Sequence, residues 1–234
     1  MNKLLSIKNL SKVYYNKKEE TEAIKDISFD LYEGEFVSIV GPSGCGKSTL
    51  LNILTNMDTL TKGKIELKDN LKLGYMLQSD SMLSWRKVID NALLGLEIKK
   101  EKTEENINYV KNLFKKYGLA EFMEKHPFEL SGGMRQRVAL IRTLALKPDI
   151  LILDEPFSKL DYQSRLKVSD DVYKMIKNEG KTALMVTHDL AEAISISDRV
   201  IVLSERPCEI KNIYKIKREK EGTPIENRKD KNFA

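Results

Sequence analysis

The sequence predicts an α/β protein in which a helical insertion interrupts a parallel sheet. Residues 150–153 and 183–186 are apolar on both faces, and a helix-length segment separates them. Strands of this kind occur in parallel sheets that helices cover on both sides. Between about residues 79 and 147 the apolar residues instead recur at helical spacing among many Lys and Glu, which indicates the insertion.

The other elements follow in chain order. Residues 3–30 have the partial alternation of short strands, with a polar loop over residues 16–22. Residues 35–40 form an apolar strand that ends in a glycine-rich turn, and helical spacing begins at Lys47. Further strands are predicted at residues 65–67, 73–77 and 200–203, and a polar tail at residues 211–234.

The composition excludes several classes of protein. Of the 234 residues, 41% are hydrophobic and 32% are charged, which is enough for a packed core without cross-links. The two cysteines, Cys45 and Cys208, cannot form a disulfide framework, and this favours a reducing compartment. No apolar run approaches the ~18 residues of a membrane span, and the amino-terminal residues do not have the pattern of a signal peptide. We therefore expect neither a secreted nor a membrane-spanning protein.

The segment GPSGCGKS at residues 41–48 fits the phosphate-binding pattern G-x-x-x-x-G-K-[ST]. It follows a predicted strand and opens a predicted helix, as this motif requires. The glycines let backbone N–H groups approach phosphate oxygens, and the helix start adds a positive dipole end. In this interpretation Lys47 binds the β- and γ-phosphates and the Ser48 hydroxyl binds Mg²⁺. The alternative is an ordinary glycine-rich turn.

Two carboxylates, Asp154 and Glu155, follow the first of the two apolar strands. Because ligands of open α/β sheets bind beyond the carboxyl ends of the strands, Asp154 is placed to hold Mg²⁺ and Glu155 to polarise an attacking water. His188 follows the second apolar strand, where it could bond the γ-phosphate. The spacing alone favours a turn histidine. His126 is interpreted as structural.

A second helix start with anion-binding character follows Leu130. Ser131 is a good N-cap, Gly132 and Gly133 let backbone amides approach a ligand, and an amphipathic helix follows. A nucleotide needs only one primary phosphate cradle, so this second site has another purpose. Either the helix start of a partner subunit caps the γ-phosphate, or the segment is a simple N-cap with a tight turn.

These motifs resemble those of the ATP-binding-cassette (ABC) ATPase subunits of membrane transporters, over about residues 4–210. They occur in the order of the family: Walker A from Gly41, the Q-loop glutamine Gln78, the signature LSGGMRQ from Leu130, Walker B at 150–156, the D-loop from Ser158, and the switch histidine His188. The resemblance implies a P-loop NTPase (RecA-like) core with an N-terminal antiparallel β-subdomain and a helical subdomain inserted at about residues 79–147. It also implies a single ATPase domain at residues 1–210, followed by a basic polar tail at 211–234.

The resemblance also implies roles for individual residues. It implies catalytic roles for Glu155, His188 and Gln78, and magnesium binding by Ser48, Gln78 and Asp154. It implies that the nucleotide is bound by Tyr14 on the adenine and by Gly41, Pro42, Ser43, Gly44, Cys45, Gly46, Lys47, Ser48 and Thr49 on the phosphates. Further nucleotide contacts are expected from Asp161 and, acting on the ATP of a partner subunit, from Ser131, Gly132, Gly133 and Gln136.

Subunits of this family bind ATP and Mg²⁺ and dimerise head to tail, so that two ATP molecules lie between Walker A of one chain and the signature motif of the other. The resemblance therefore implies a homodimer at the cytoplasmic face of the membrane, with permease subunits and an extracytoplasmic substrate-binding protein as partners. Coupling contacts are expected from Gln78 to about Arg86. No nucleic-acid partner is implied.

Two segments resemble the importers of nitrate, sulfonates and taurine: residues 82–91, MLSWRKVIDN, and residues 204–207, SERP. Trp85 could equally anchor the insertion, and Arg206 could be a surface charge. Importers of thiamine precursors share these segments, so the solute does not follow from them. The alternatives in function are an exporter or lipid-trafficking ATPase and a soluble ABC ATPase that acts on nucleic acid or protein complexes. A nucleotide kinase would share the phosphate loop but has no reason to carry the signature motif.

Three positions depart from the family pattern. Lys159 replaces the usual alanine of the D-loop, Ser84 a proline, and Cys208 a glycine; if that glycine needs a positive φ, Cys208 implies a different local turn. The formal net charge of +5 and the pI of 8.9 at first favour nucleic acid. However, residues 211–234 carry eight basic and four acidic residues, so most of the net charge belongs to the tail. We interpret this tail as solvated surface, with weak contact to anionic lipid as the alternative.

Overall fold

A computed structural model of the chain describes residues 2–15, 19–218, 222–230 and 233. The strands are β1 Lys3–Tyr15, β2 Glu20–Tyr32, β3 Phe36–Val40, β4 Lys62–Leu67, β5 Leu73–Met76, β6 Ile150–Asp154, β7 Thr182–Thr187, β8 Arg199–Leu203 and β9 Ile210–Lys215. The α-helices are α1 Lys47–Leu54, α2 Val88–Ile98, α3 Glu104–Lys116, α4 Gly132–Leu144, α5 Tyr162–Asn178, α6 Leu190–Ile196 and α7 Pro224–Asn227. Single 3₁₀ turns lie at Ala120–Phe122 and Pro127–Glu129.

The main sheet has the order β5-β6-β7-β3-β8-β9. Its first five strands are parallel, and β9 is antiparallel to β8. Every residue of β3 and β7 is buried, which explains why these strands are apolar on both faces. The prediction of an α/β protein with a parallel sheet is therefore confirmed. Because β3 lies between β7 and β8, the segments that follow these three strands meet at one edge of the sheet.

A second, antiparallel sheet has the order β2-β1-β4, as the resemblance implied. Its first two strands have 13 residues each and are longer than we predicted. We expected a polar loop over residues 16–22, but β2 begins at Glu20, which pairs with Tyr15. The pairing of β1 with β2 extends both strands into a polar segment whose sequence does not alternate between apolar and polar residues. Residues 16–18 lie outside the described part of the chain.

Helices α2, α3 and α4 form the predicted insertion between β5 and β6. Helices α2 and α3 both pack against α4, and Val110, Phe114 and Leu140 are fully buried between them. Helix α4 in turn contacts β5 and α5, so the insertion is continuous with the core of the main sheet. Among the described residues, none of the helices combines the length and the apolar character that crossing a membrane requires.

The boundary that we expected at residue 210 coincides with the start of β9, so the last strand of the main sheet lies within the predicted polar tail. The strand was missed because it is an exposed edge strand with little apolar character. Beyond it, the Arg218 guanidinium donates to the Ile194 and Ser197 carbonyls at the end of α6. Helix α7 packs on α5 and α6, and the Asn227 amide donates to the Ser195 carbonyl at 2.7 Å. Part of the tail is therefore integrated into the fold.

Candidate nucleotide-binding site

The phosphate loop joins β3 to α1 and requires glycine at two positions. Gly44 has a φ of +74° and Gly46 a φ of +133°. A Cβ on Gly46 would lie 2.9 Å from the Ala23 carbonyl oxygen of β2, so a side chain is excluded there by both conformation and contact. Helix α1 has no side-chain cap and no acidic residue in its first turn, which leaves its N-terminal N–H groups for a ligand.

Lys47, the first residue of α1, is 6% exposed. Its ammonium donates to the carbonyl oxygens of Gly41 and Pro42, both at 2.7 Å. The lysine is therefore held at the loop by groups that carry no net charge, and a phosphate oxygen would be a stronger acceptor for the same N–H bonds.

A cavity of about 420 Å³ opens in front of the loop. It is lined by Ser43, Gly44, Gly46, Lys47, Ser48, Thr49, Gln78, Glu155 and Arg206. Most of the predicted phosphate-binding residues thus share one cavity with two of the predicted catalytic residues. Gly41, Pro42 and Cys45 are not part of this lining, and Cys45 is buried behind the loop. Their contribution is to the shape of the loop.

Cys45 and Cys208 lie together in the core beneath the phosphate loop. Cys208 is not among the residues with positive φ, and it forms a β-bridge with Ile24. The chain at this position therefore does not need glycine. A hydrogen bond from the Cys208 thiol lowers the pKa of Cys45.

Asp154 ends strand β6, where the Tyr75 hydroxyl of β5 donates to its Oδ2 atom at 3.1 Å. Burial raises the pKa of Asp154 above the usual range of an aspartate. The hydrogen bond from Tyr75 opposes this rise and fixes the orientation of the carboxylate. Tyr75 could not be predicted from the sequence, because its contact with Asp154 depends on the pairing of β5 with β6.

The Glu155 carboxylate contacts the side chains of Gln78 and His188, the other two residues that are predicted to be catalytic. The Gln78 amide donates to Glu155 Oε2 at 3.2 Å, and His188 Nδ1 lies 3.2 Å from the same oxygen. The backbone of Glu155 has a φ of +41°, a left-handed value that is unfavourable for a residue with a side chain. The Glu155 N–H donates to the Val186 carbonyl of β7 at 2.9 Å, which holds this conformation. Two side chains from two different segments, Gln78 and His188, therefore converge on the Glu155 carboxylate.

The predicted second anion site lies in a separate groove of about 420 Å³. Ser131 is the N-cap of α4, and its hydroxyl accepts from the Met134 N–H at 3.3 Å. Gly133 must be small, because a Cβ would lie 2.5 Å from Val168 Cγ2 of α5. The groove is lined by Ser131, Gly132, Gly133, Met134, Arg137, Lys159, Leu160, Asp161, Ser164, Lys167, Val168 and Asp171.

Gln136 and Asp161, two predicted nucleotide contacts, lie outside the cavity at the phosphate loop. Gln136 is 4% exposed and does not line the groove, because the helical period turns it into the core, where its Oε1 atom has no hydrogen-bond partner among the described residues. Asp161 lies in the second groove, as the N-cap of α5 that accepts from the Ser164 N–H at 3.0 Å. Lys159, the unusual D-loop residue, is exposed in the same groove.

Tyr14, the predicted adenine contact, is at the end of β1 and is 42% exposed. Its hydroxyl donates to Asp58 Oδ2 at 2.7 Å, and the Lys12 ammonium lies 4.8 Å from the centre of its ring. Tyr14 does not line the cavity at the phosphate loop. The ring therefore lies near the end of the central strand of the antiparallel sheet and outside the cavity at the phosphate loop.

The loop after Gln78 is bound to the inserted helices. The Arg135 Nε atom donates to Asp80 Oδ2 at 3.0 Å, and the Arg142 guanidinium donates to the Asp80 carbonyl at 2.6 Å. Both arginines belong to α4, which begins at the second groove. The two predicted sites are thus linked by a short path of side chains.

The fold and the phosphate loop together define a P-loop nucleotide-binding protein. Comparison with known proteins gives the family: the ABC transporter family matches residues 24–158. The uncharacterized ABC transporter ATP-binding protein YtlC of Bacillus subtilis is 42% identical, over 98% of this chain and 91% of its own length. The taurine import ATP-binding protein TauB of Jannaschia sp. is 39% identical, over 90% and 81%.

The nitrate transport protein NasD of Klebsiella oxytoca is 35% identical, over 89% of this chain and 83% of its own length. Among solved structures, the dimeric post-hydrolysis state of the ATP-binding cassette MJ0796 bound to ADP and Pi is similar, with a TM-score of 0.75 and 32% identity. That match covers 92% of this chain and 99% of the other. The chain therefore belongs to the ABC transporter family and is an ATPase subunit.

Proposed function

We propose that this chain hydrolyses ATP to drive import of a small solute of the nitrate, sulfonate or taurine type. The convergence of Gln78 and His188 on Glu155, beside a phosphate loop, carries the proposal for hydrolysis. The similarity to relatives named for taurine import and nitrate transport supports import. The ATPase domain comprises residues 1–210, to which β9 adds a strand.

ATP binds with its phosphates against the loop from Gly41 to Thr49. When ATP binds, the Lys47 ammonium gives up its hydrogen bonds to the two loop carbonyls and donates to β- and γ-phosphate oxygens instead. These hydrogen bonds are stronger, because donor and acceptor carry opposite charges. The Tyr14 ring stacks on the adenine. For this contact, either the Tyr14 hydroxyl breaks its hydrogen bond to Asp58, or the adenine packs on the exposed face of the ring while that bond is kept.

Ser48, Gln78 and Asp154 are the side chains that would hold Mg²⁺. Their donors are a hydroxyl, an amide carbonyl and one carboxylate, and these oxygens fit Mg²⁺, which keeps several waters and is bound through one or two carboxylates together with phosphate oxygens. When bound, the ion neutralises charge that develops on the phosphate oxygens.

In hydrolysis, Glu155 accepts a proton from the water that attacks the γ-phosphorus, and the bond from that phosphorus to the β-γ bridging oxygen breaks. His188 and Gln78 hold the Glu155 carboxylate in position, and His188 stabilises the γ-phosphate. The Tyr75 hydroxyl keeps the neighbouring Asp154 carboxylate oriented. The left-handed backbone at Glu155 aims the base toward the cavity.

The second groove acts on the ATP of a partner subunit in a head-to-tail homodimer. The groove shares no lining residue with the cavity at the phosphate loop, which supports this arrangement. Ser131, Gly132 and Gly133 contact the γ-phosphate, and Asp161 lies at the interface. Gln136 is omitted from this set because it is buried. The dimeric state of the related MJ0796 cassette supports the same assembly.

The link from Gln78 through Asp80 to helix α4 supports a coupling role for the insertion. In this proposal the subunit is peripheral, at the cytoplasmic face of the membrane, and the segment from Gln78 to about Arg86 contacts the permease subunits. Trp85 in this segment is 73% exposed, which leaves it free for such a contact. A substrate-binding protein delivers the solute to the permease from the other side.

Nucleotide binding is tested by Lys47→Ala, which should abolish measurable affinity for a fluorescent ATP analogue. Lys99→Ala, at an exposed lysine after α2, is the control and should bind as wild type does. Equal affinity of the Lys47→Ala and wild-type chains would contradict the assignment of the phosphate loop.

The homodimer is tested by measuring the mass of Glu155→Gln in solution. This variant should bind ATP without hydrolysing it, so it should be dimeric with ATP and monomeric without it. A second variant that also carries Gly133→Ala should remain monomeric, because the added methyl displaces the start of α4 from α5. A monomer of Glu155→Gln under both conditions would contradict the head-to-tail model.

Import is tested by uptake of labelled taurine and nitrate in cells that carry the chain together with its permease and binding protein. Uptake of one solute should require the wild-type chain and fail with Glu155→Gln. Loss of export, with no change in uptake of any tested solute, would contradict the direction of transport.

A further inference from the structure

The loop between β8 and β9, residues 204–209, brings an arginine to the phosphate loop. The Arg206 Nη2 atom donates to the Gly44 carbonyl at 3.0 Å. Arg206 also lines the cavity that Lys47 and Ser48 line. Strand β8 is the neighbour of β3, so the ends of both strands lie at the same edge of the sheet. The order of the strands therefore brings the loop that carries Arg206 to the phosphate loop.

The loop that carries Arg206 is held at both of its ends. The Ser204 hydroxyl donates to the Pro207 carbonyl at 3.0 Å and accepts from the Glu209 N–H at 2.8 Å. The Cys208 N–H donates to the Ala23 carbonyl of β2 at 3.0 Å. Arg206 is thus presented from a hydrogen-bonded turn, so less conformational entropy is lost when it binds a ligand.

The guanidinium of Arg206 has no ionic partner among the described residues. Its contact with Gly44 uses one of five N–H donors and leaves the positive charge unneutralised. A planar guanidinium with free donors matches the geometry of phosphate oxygens, which it can bind through two parallel hydrogen bonds. Lys47, the other cation that lines the cavity, donates to the Gly41 and Pro42 carbonyls, so the two cations use different acceptors of the loop.

We propose that Arg206 is a second cation of the phosphate cradle and binds a phosphate oxygen of the nucleotide. This role rests on the proposed binding of ATP at the phosphate loop and adds a contact from outside the loop. The contact to Gly44 positions the guanidinium at the cavity, and its remaining N–H groups bind the ligand.

The test compares Arg206→Gln and Arg206→Lys with the wild-type chain for binding of ATP and of inorganic tripolyphosphate. Affinities are measured by displacement of a fluorescent ATP analogue. Arg206→Gln should weaken both ligands by about tenfold, the effect of losing a hydrogen bond between charged groups. Arg206→Lys should restore part of the loss, because it keeps the charge without the planar fork. Lys211→Gln is the control, since Lys211 lies beyond the loop and outside the nucleotide cavity.

Unchanged affinity of Arg206→Gln for both ligands would overturn the proposal. Weaker binding of ATP with unchanged binding of tripolyphosphate would also overturn it, because the contact would then be to the nucleoside. The midpoint of thermal unfolding without ligand should be the same in all variants. A lower midpoint for Arg206→Gln would overturn the proposal, because Arg206 would then stabilise the fold. Failure of the wild-type chain to bind ATP would instead refute the proposed function.

Discussion

Replacing Glu192 by Gln should remove a pH dependence of stability that originates at helix α6. Glu192 is in the first turn of this helix and is 4% exposed. The Thr187 hydroxyl donates to Glu192 Oε2, and the Glu192 N–H donates to Asp189 Oδ1 at 3.0 Å. Burial raises the pKa of Glu192 from 4.5 to about 7, although the bond from Thr187 opposes the shift.

The sign follows from the raised pKa in the folded chain. The protonated carboxyl is favoured by burial, so its stabilising contribution is complete below pH 4.5 and is lost as the pH rises through about 7. With about 1.4 kcal/mol per pKa unit, the shift corresponds to about 3 kcal/mol of unfolding free energy. Glu192 is almost fully buried, so solvent screening reduces this figure little.

The assay is urea unfolding of the wild-type chain and of Glu192→Gln at about pH 5 and pH 8. The wild-type chain should lose stability between these values, and the Gln variant should lose about 2 to 3 kcal/mol less. Glu205→Gln, at an exposed carboxylate after β8, is the control and should follow the wild type. If Glu192→Gln retains the full wild-type dependence on pH, Glu192 is not the source of that dependence.

Two further predictions concern strand packing and metal binding. Gly63→Ala should destabilise the chain by at least about 2 kcal/mol in urea unfolding, because its Cβ would lie 2.3 Å from the Asn9 carbonyl oxygen at a φ of +93°. Gly34→Ala, with a φ of +75° and no neighbour within 4 Å, should cost only about 1 kcal/mol, and equal losses would contradict the steric argument. Tyr75→Phe removes the bond to Asp154, so the Mg²⁺ concentration for half-maximal nucleotide binding should rise by about tenfold. An unchanged Mg²⁺ midpoint in Tyr75→Phe would show that the Tyr75 hydroxyl does not position Asp154 for Mg²⁺ binding.

Much of the sheet could be predicted because buried parallel strands leave a direct signal in the sequence. The apolar runs at 150–153 and 183–186 became β6 and β7, since both faces of each strand are covered. Strand β9 could not be predicted from such a signal. It is an exposed edge strand, and only its pairing with β8 defines it.

The candidate site also contains residues that could be predicted from the sequence and residues that could not. The phosphate loop and the carboxylates after β6 were predicted because their chemistry lies in adjacent residues. Tyr75 and Arg206 were not assigned to the site because each reaches it from a neighbouring strand, and strand order is not encoded in any local pattern. Gln136 was expected at the ligand from the motif alone, whereas the burial of one face of α4 decides where its side chain lies.

We propose that Glu155 activates water beside the phosphate loop, and this role is measured by the rate of phosphate release from MgATP by Glu155→Gln. The rate should fall by at least about 100-fold, the usual effect of losing a general base, while affinity for ATP stays at the wild-type level. Glu205→Gln should hydrolyse ATP at the wild-type rate. Near-normal phosphate release by Glu155→Gln would show that Glu155 is not the general base.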